Sequence, residues 1–124
     1  MSSYIIVTNN PLVIKHYQDE SILKEKKYLE VLETVRDHIH QGHRLLTHPL
    51  AGSVKPNQNP YRTVLISKNA GSLDFNSLSL IENAIKVAEK MLNDKNTPEW
   101  SQAIKEDFQF VDKSHIDSAI KNIK

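Results

Sequence analysis

Several residues with catalytic or ligand-binding chemistry fall in one stretch of the chain, HRLLTHPLAGSVKPNQNPYR, at residues 43–62. His48 stands before a proline, which biases its backbone to an extended conformation, and its imidazole could act as a general acid or base or as a hydrogen-bond donor. Ser53 and Lys55 are two residues apart, so an extended backbone would point both side chains to the same side. A serine–lysine nucleophile needs a desolvated lysine, and a proline-rich loop rarely provides one. The stretch therefore favours ligand binding over covalent catalysis, and the alternative for His48 is a histidine that only forms hydrogen bonds within the loop.

The charge distribution points to the same region. No Asp or Glu occurs between Asp37 and Asp74. Four cationic residues lie within that interval: Arg44, Lys55, Arg62 and Lys68. Together with the positive end of a helix that begins after Asn10, they predict a site for a small anion such as phosphate or a carboxylate. The alternative is that these cations are scattered over a solvated surface.

Other chemistries are disfavoured by residue type or spacing. His38, His40 and His43 lack the i,i+4 spacing with which a helix presents two ligands to one ion, so no metal site is predicted. The chain has no cysteine, which excludes disulfides, thiolate nucleophiles and cysteine-based zinc sites. It has only three glycines and no Gly-rich phosphate loop, HExxH or GxSxG motif. We therefore expect no cofactor and no nucleotide hydrolysis.

The hydrophobic pattern predicts strands that alternate with helices. Short apolar runs predict strands at residues 4–7, 21–24, 45–47 and 63–67, with residues 45–47 in a central position. Apolar residues at helical spacing predict helices at residues 28–41 and 75–92, the first ended by Gly42 and the second capped by Asp74.

Proline and polar residues mark the start of the remaining helices. Asn10 and Pro11 predict a short helix that reaches about residue 17. Thr97 and Pro98 predict another by the same logic, and residues 97–124 are expected to hold two helices that separate near Val111. The prediction is a single α/β domain over residues 1–124, with a small, mostly parallel sheet flanked by helices and extra C-terminal helices.

In an open α/β sheet, ligands bind beyond the carboxyl ends of the strands, where loops and helix N-termini converge. That rule selects Thr8, Asn9 and Asn10 after the first strand, and His48 after the strand at residues 45–47. Residues 67–69 would belong to the same site only if the predicted strand at residues 63–67 is parallel to the first strand. The segment before that strand has no helix pattern, so an antiparallel return is equally open.

Size and composition set the broad class of the protein. A chain of 124 residues suits one domain, and its 25% charged and 39% hydrophobic residues are ordinary for a globular protein. The net charge of +1 gives no general attraction to nucleic acid or to a membrane surface. No signal peptide or membrane-spanning run is apparent, so a cytoplasmic location is expected.

Two segments carry a resemblance to a known family. TNNPLV at residues 8–13 and GHRLLTHPLAGSVKPNQNPYRTVLISK at residues 42–68 resemble the GrdX family of small proteins. The resemblance implies a genomic neighbourhood with the glycine, sarcosine and betaine reductase systems of amino-acid-fermenting bacteria. It does not imply a reaction or a set of catalytic residues. Since the chain has no cysteine, it cannot be a thiol or selenol electron carrier for such a system.

Three functional hypotheses follow. The leading one is a non-catalytic accessory protein that binds a small anionic metabolite or a reductase component through Thr8, Asn9, Asn10, His48, Ser53, Lys55 and Arg62. The second is a small enzyme on a phosphorylated or amino-acid-derived substrate, with His48 as acid or base. The third is a protein-interaction module that uses the C-terminal helices, where exposed Trp100 and Phe108 would mark the interface.

Overall fold

A computed structural model describes residues 3–50, 58–95 and 97–123 of the chain. Within these residues, three strands and four helices follow one another in an α/β order. The elements are β1 (Tyr4–Thr8), α1 (Pro11–His16), β2 (Ile22–Lys24), α2 (Tyr28–His40), β3 (Thr63–Ser67), α3 (Phe75–Asp94) and α4 (Gln102–Ile123).

The sheet is mixed, so the prediction of a mostly parallel sheet is wrong. Its order is β2-β1-β3, with β1 parallel to β2 and antiparallel to β3. Strand β3 runs antiparallel to β1, which is the arrangement that two neighbouring strands can adopt without a crossover helix. The register places Thr8, the last residue of β1, opposite Thr63, the first residue of β3. The carboxyl end of β1 therefore meets the start of β3.

The prediction of a central strand at residues 45–47 is also wrong. These residues lie on the outer side of β3, joined to it by one isolated antiparallel bridge between Leu45 and Ile66. The Leu46 N–H donates to the Leu65 carbonyl at 2.9 Å, but the Leu65 N–H donates to the Thr47 hydroxyl at 3.0 Å. Because a side-chain hydroxyl takes the place of a backbone carbonyl, the ladder ends there after a single bridge.

Both faces of the sheet are covered by helices. The alternation of side chains along a strand sends Val7, Val64 and Ile66 to the face covered by α2 and α3. It sends Tyr4, Ile6 and Leu65 to the other face, where α1 and α4 pack. These two clusters form the core, and they explain why the strands have almost no polar residue before their ends.

The predicted starts of two helices are confirmed. The Asn10 side chain accepts a hydrogen bond from the Leu12 N–H at 3.0 Å, and Pro11 is the first residue of α1. The Asp74 side chain accepts from the Ser77 N–H at 3.2 Å at the start of α3. In both cases a polar side chain satisfies a backbone donor that the first helical turn leaves without a partner.

The C-terminal segment differs from the prediction, because α4 is one continuous helix from Gln102 to Ile123. It begins after Ser101, whose hydroxyl accepts from the Ile104 N–H at 3.4 Å, and not at Thr97. Asp112 is the reason the apolar stripe looks interrupted: it occupies a buried position of that stripe, four residues before Ile116. None of the helices in the described residues combines the length and the apolar character that crossing a membrane requires.

Gly42 is expected to be intolerant of a side chain. Its φ of +107° lies in the left-handed region, and a Cβ atom there would stand 2.1 Å from the Gly71 carbonyl oxygen. We expect Gly42→Ala to lower the free energy of unfolding by about 3 kcal/mol, from backbone strain and the clash. Urea denaturation measures this directly.

Gly71→Ala is the matched control, because a Cβ atom at Gly71 meets nothing within 4 Å. Its effect should stay within about 0.5 kcal/mol. Equal effects of the two substitutions would contradict the described path of the chain at residues 42 and 71.

Candidate functional site

A chain of hydrogen bonds joins the carboxyl end of β1 to β3 and α4. The Asn10 N–H donates to the Thr8 hydroxyl at 3.0 Å, and the Thr8 and Thr63 hydroxyl oxygens are 2.7 Å apart. The Thr63 hydroxyl donates to an Asp112 carboxylate oxygen at 2.6 Å. Since the one proton of Thr63 goes to Asp112, the Thr8 hydroxyl must be the donor to Thr63.

Asp112 is the centre of this network. Its side chain is 4% exposed, and it accepts from the Thr63 N–H at 3.1 Å, from the Thr63 hydroxyl, and from the Asn10 side-chain amide at 2.9 Å. These bonds occupy three of the roughly four acceptor positions of a carboxylate. A buried carboxylate with this many donors holds three elements, β1, β3 and α4, in fixed relation.

Asn9 fixes the backbone that leads into β3. Its amide donates to the Pro60 carbonyl and accepts from the Arg62 N–H, both at 2.8 Å. The Arg62 side chain is 5% exposed, and its guanidinium carbon lies 5.5 Å from the centre of the Tyr28 ring. Burial raises the pKa of the Tyr28 hydroxyl, more than the neighbouring Arg62 charge lowers it. Arg62 is thus a positive charge held in a fixed place by packing on a neutral ring.

A cavity of about 320 Å³ opens beside this network. One wall comes from the chain before and at the start of β3, and the other from the side of α4. Its polar lining residues are Thr47, His48, Arg62, Thr63, Asp112, His115, Ser118 and Asn122. The volume is at the lower end of the range of small-ligand pockets, and the lining is rich in hydrogen-bond donors.

The hydrogen bonds of His48 and Thr47 decide what each can offer a ligand. The Leu50 N–H donates to His48 Nδ1 at 3.1 Å, so Nδ1 carries no proton and Nε2 carries one. The Thr47 oxygen accepts from the Leu65 N–H, which leaves the hydroxyl proton of Thr47 for another partner. Both residues can therefore act as donors in the cavity.

The structure brings some of the predicted site residues together. His48 and Arg62 line the same cavity, although His48 belongs to the segment before residue 50 and Arg62 precedes β3. Thr8, Asn9 and Asn10 lie behind the cavity wall, where their polar atoms bind other parts of the chain. Ser53 and Lys55 lie outside the described residues. As direct ligand contacts, all seven residues remain predictions.

Among the described residues, the three cations of the acid-free interval, Arg44, Arg62 and Lys68, do not converge on one point; Lys55 lies outside those residues. Arg62 precedes β3 and Lys68 follows it, about 20 Å apart along an extended strand. Arg44 lies at the Lys68 end, where its carbonyl accepts from the Ser67 N–H at 2.8 Å. Since β3 is antiparallel to β1, residues 67–69 are placed away from the carboxyl end of β1.

Two of the three histidines at residues 38–43, His38 and His43, hydrogen-bond to backbone carbonyls. His38 Nδ1 contacts the Thr34 carbonyl at 2.9 Å, and His43 Nδ1 contacts the Ser67 carbonyl at 2.7 Å. Over the described ranges, no group of three or more His, Cys, Asp or Glu residues is arranged to hold a metal ion. Trp100 and Phe108 pack against each other, and the Trp100 indole N–H donates to the Gln58 carbonyl at 2.7 Å. These two aromatic rings therefore anchor the chain near residue 58.

A second, half-buried contact joins α4 to the end of α1. Asp117 accepts a hydrogen bond from the Tyr17 hydroxyl at the end of α1, and from Lys113 at 2.7 Å. Burial raises the pKa of the Asp117 carboxyl, but the hydrogen bonds from Lys113 and Tyr17 and the charge of Lys113 outweigh it. The pKa of Asp117 therefore lies below its ordinary value.

This lowered pKa predicts a contribution of Asp117 to acid stability. A group whose pKa is lower in the folded state stabilises the fold above its unfolded pKa, near 3.9, and loses that effect as the pH falls through the folded value. We expect wild-type protein to lose more stability than Asp117→Asn between about pH 5 and pH 3. Urea denaturation across that pH range measures the free energy of unfolding of both proteins. Asp37→Asn is the control, because Asp37 is exposed. Parallel curves for wild type and Asp117→Asn would contradict the contact.

Sequence reasoning missed the residues that α4 contributes to the cavity. Asp112, His115, Ser118 and Asn122 lie on one side of that helix at spacings of three and four. One signal was present: an aspartate in a buried position of an apolar stripe, between Phe108 and Ile116, needs a buried polar partner. The partners, Asn10 and Thr63, are distant in sequence and could not be named from it.

Comparison with known proteins assigns the chain to a family by its sequence. A family model described as GrdX-like protein matches residues 5–121, which is nearly the whole chain. No curated protein and no solved structure matches it.

Proposed function

The chain belongs to the family of GrdX-like proteins, and we propose that it is a non-catalytic accessory protein that binds a small anionic metabolite. The observation that carries the proposal is the cavity between the start of β3 and α4. It combines a buried arginine with two imidazoles and several uncharged donors, a set that suits a phosphate or a carboxylate.

Arg62 would supply the charge. A guanidinium is planar, and it can make two parallel hydrogen bonds to a carboxylate or phosphate. Arg62 is 5% exposed, and the Tyr28 ring stands beside it. Because a buried charge is weakly screened, one arginine here attracts an anion more strongly than the exposed Arg44 or Lys68 would.

Asp112 does not exclude an anion from this cavity. Its carboxylate accepts three hydrogen bonds from Thr63 and Asn10, so most of its acceptor positions are satisfied within the chain. We infer that Asp112 organises the cavity wall, while the anion contacts Arg62 and the histidine, threonine and serine donors around it. Thr8 and Asn9 would act indirectly, by holding Thr63 and the backbone of Arg62 in place.

A ligand screen tests the proposal. The panel pairs acetate with uncharged acetamide, and adds phosphate, acetyl phosphate, glycine and betaine, since the family resemblance implies a neighbourhood with glycine, sarcosine and betaine reductases. A ligand at a hundred times its Kd stabilises the folded state by about 2.7 kcal/mol, which raises Tm by several degrees. We expect anions to raise Tm in a saturable way and acetamide to have no effect. A flat response to every anion would overturn the proposal.

One observation keeps an enzyme as the second candidate: two histidines, His48 and His115, line the same cavity and could share acid and base roles. NMR spectra of each stabilising ligand after incubation with the protein distinguish the two. Unchanged ligand supports binding alone, whereas a product that Arg62→Lys and His48→Ala no longer form would favour the enzyme.

A further inference from the structure

Helix α4 carries apolar residues on two opposite sides. Ile116 and Ile120 are buried against β1, β3 and α1, as expected for the inner side of an amphipathic helix. On the outer side, Phe110 is 66% exposed and Val111 is 38% exposed. Three of the four large exposed hydrophobic residues found among the described residues belong to α4. A concentration of this kind on one helix is typical of an interaction surface.

The outer side forms a continuous seam along the helix. At 100° per residue, the seam lies opposite the buried stripe, and its members recur at spacings of three and four. They are Asp107, Phe110, Ser114, Ser118 and Lys121, all exposed. A shallow groove lined by Phe110, Val111, Ser114, His115 and Ser118 runs along its middle.

We propose that this seam binds the same seam of a second copy of the chain, with the two α4 helices antiparallel about a two-fold axis at Ser114. In that arrangement, a residue a given number of positions before Ser114 faces the residue the same number of positions after Ser114 in the second copy. Asp107 therefore faces Lys121 of the second copy, and Phe110 faces its Ser118.

Charge complementarity is the argument for a second copy as the partner. One end of the seam carries Asp107 and the other carries Lys121, seven residues on either side of Ser114. An antiparallel self-pair places opposite charges together twice, whereas a parallel pair places Asp107 on Asp107 and Lys121 on Lys121. A two-fold interface needs a self-complementary surface, and this seam is one.

Side-chain size supports the same geometry. Ser114 and Ser118 are small, so two helix backbones can approach closely at the axis and leave room beside Ser118 for a phenyl ring. Each Phe110 would fill the groove of the other copy, and the two rings would be removed from water together. The contact spans about 21 Å of helix from Asp107 to Lys121, which is a small interface and predicts a weak dimer.

Sedimentation velocity over a range of protein concentrations tests the proposal, and the wild type is expected to dimerise with a Kd of about tens of micromolar. Phe110→Asp should weaken the dimer at least tenfold. Phe75→Asp is the matched control, because Phe75 is 74% exposed on α3, away from the seam, and it should leave the Kd unchanged.

Charge reversal identifies the antiparallel arrangement. Asp107→Lys or Lys121→Asp alone places like charges together twice and should weaken the dimer about tenfold. The double variant Asp107→Lys/Lys121→Asp restores opposite pairing and should return the Kd to near the wild-type value. Circular dichroism checks that each variant keeps its helices.

Three results would overturn the proposal. The first is a wild type that stays monomeric up to about 1 mM, which would leave this face to a partner of different sequence. The second is an equal effect of Phe75→Asp and Phe110→Asp. The third is a double charge variant that dimerises no better than the single ones.

Discussion

Replacing Asp112 with alanine is expected to lower the free energy of unfolding by about 3 kcal/mol. The side chain is buried and accepts hydrogen bonds from the Thr63 N–H, the Thr63 hydroxyl and the Asn10 amide. Removing it leaves the Thr63 N–H and one hydroxyl proton of the Thr8–Thr63 pair buried without an acceptor, while Asn10 keeps its bond to the Gln109 carbonyl at 2.9 Å. The loss of stability comes more from burying donors without an acceptor than from the hydrogen bonds that are lost.

Two further variants show whether the acceptor role of Asp112 is responsible. Glu106→Ala removes an exposed carboxylate from the same helix and should change stability by no more than about 0.5 kcal/mol. Asp112→Asn keeps the shape of the side chain but replaces one acceptor with a donor. Its loss in free energy of unfolding should lie between the losses for Asp112→Ala and Glu106→Ala. Urea denaturation of the three variants gives the order. A loss below about 1 kcal/mol for Asp112→Ala would show that the network does not hold α4.

The second large effect is expected on anion binding. Replacing His48 and His115 together with alanine should weaken the affinity for the anion at least about tenfold, because hydrogen bonds to a charged ligand are worth more than neutral ones. Both residues line the cavity and both are exposed, so the double variant should fold normally. Isothermal titration with the strongest anion from the ligand screen measures the change.

His40→Ala is the control for this comparison, since His40 is exposed on α2 and is not a cavity residue. Arg62→Lys keeps the positive charge but loses the planar fork, and we expect it to weaken binding more than the histidine pair does. An affinity that is unchanged in both cavity variants would place the anion elsewhere on the protein.

Local patterns in the sequence were sufficient for the starts of α1 and α3, but not for α4 or for the sheet. Asn10 with Pro11 and Asp74 each satisfy a helical N–H within three residues, so the start of α1 and α3 could be predicted from neighbouring residues alone. The direction of β3 depends on how the chain returns between residues 47 and 62, which no local pattern encodes. Residues 45–47 have the composition of a strand, but the Thr47 hydroxyl replaces a backbone acceptor and ends the pairing.

The candidate site was likewise only partly predictable from the sequence. His48 and Arg62 could be selected because of their residue types and the acid-free interval around them. Their common cavity depends on the antiparallel pairing of Thr8 with Thr63, which brings Arg62 to the carboxyl end of β1. The contribution of α4 depends on Asp112 reaching Asn10 and Thr63 across many residues of sequence. Contacts of that range follow from the fold as a whole.

The central claim is that an anion binds between the start of β3 and α4. The most direct test is a chemical-shift titration of isotopically labelled protein with phosphate, because it reports the position of the ligand as well as its affinity. We expect saturable shifts at the amides of His48, Thr63, His115 and Ser118, with little change near Arg44 and Lys68. Shifts that concentrate near Arg44 and Lys68, or that never saturate, would contradict the claim.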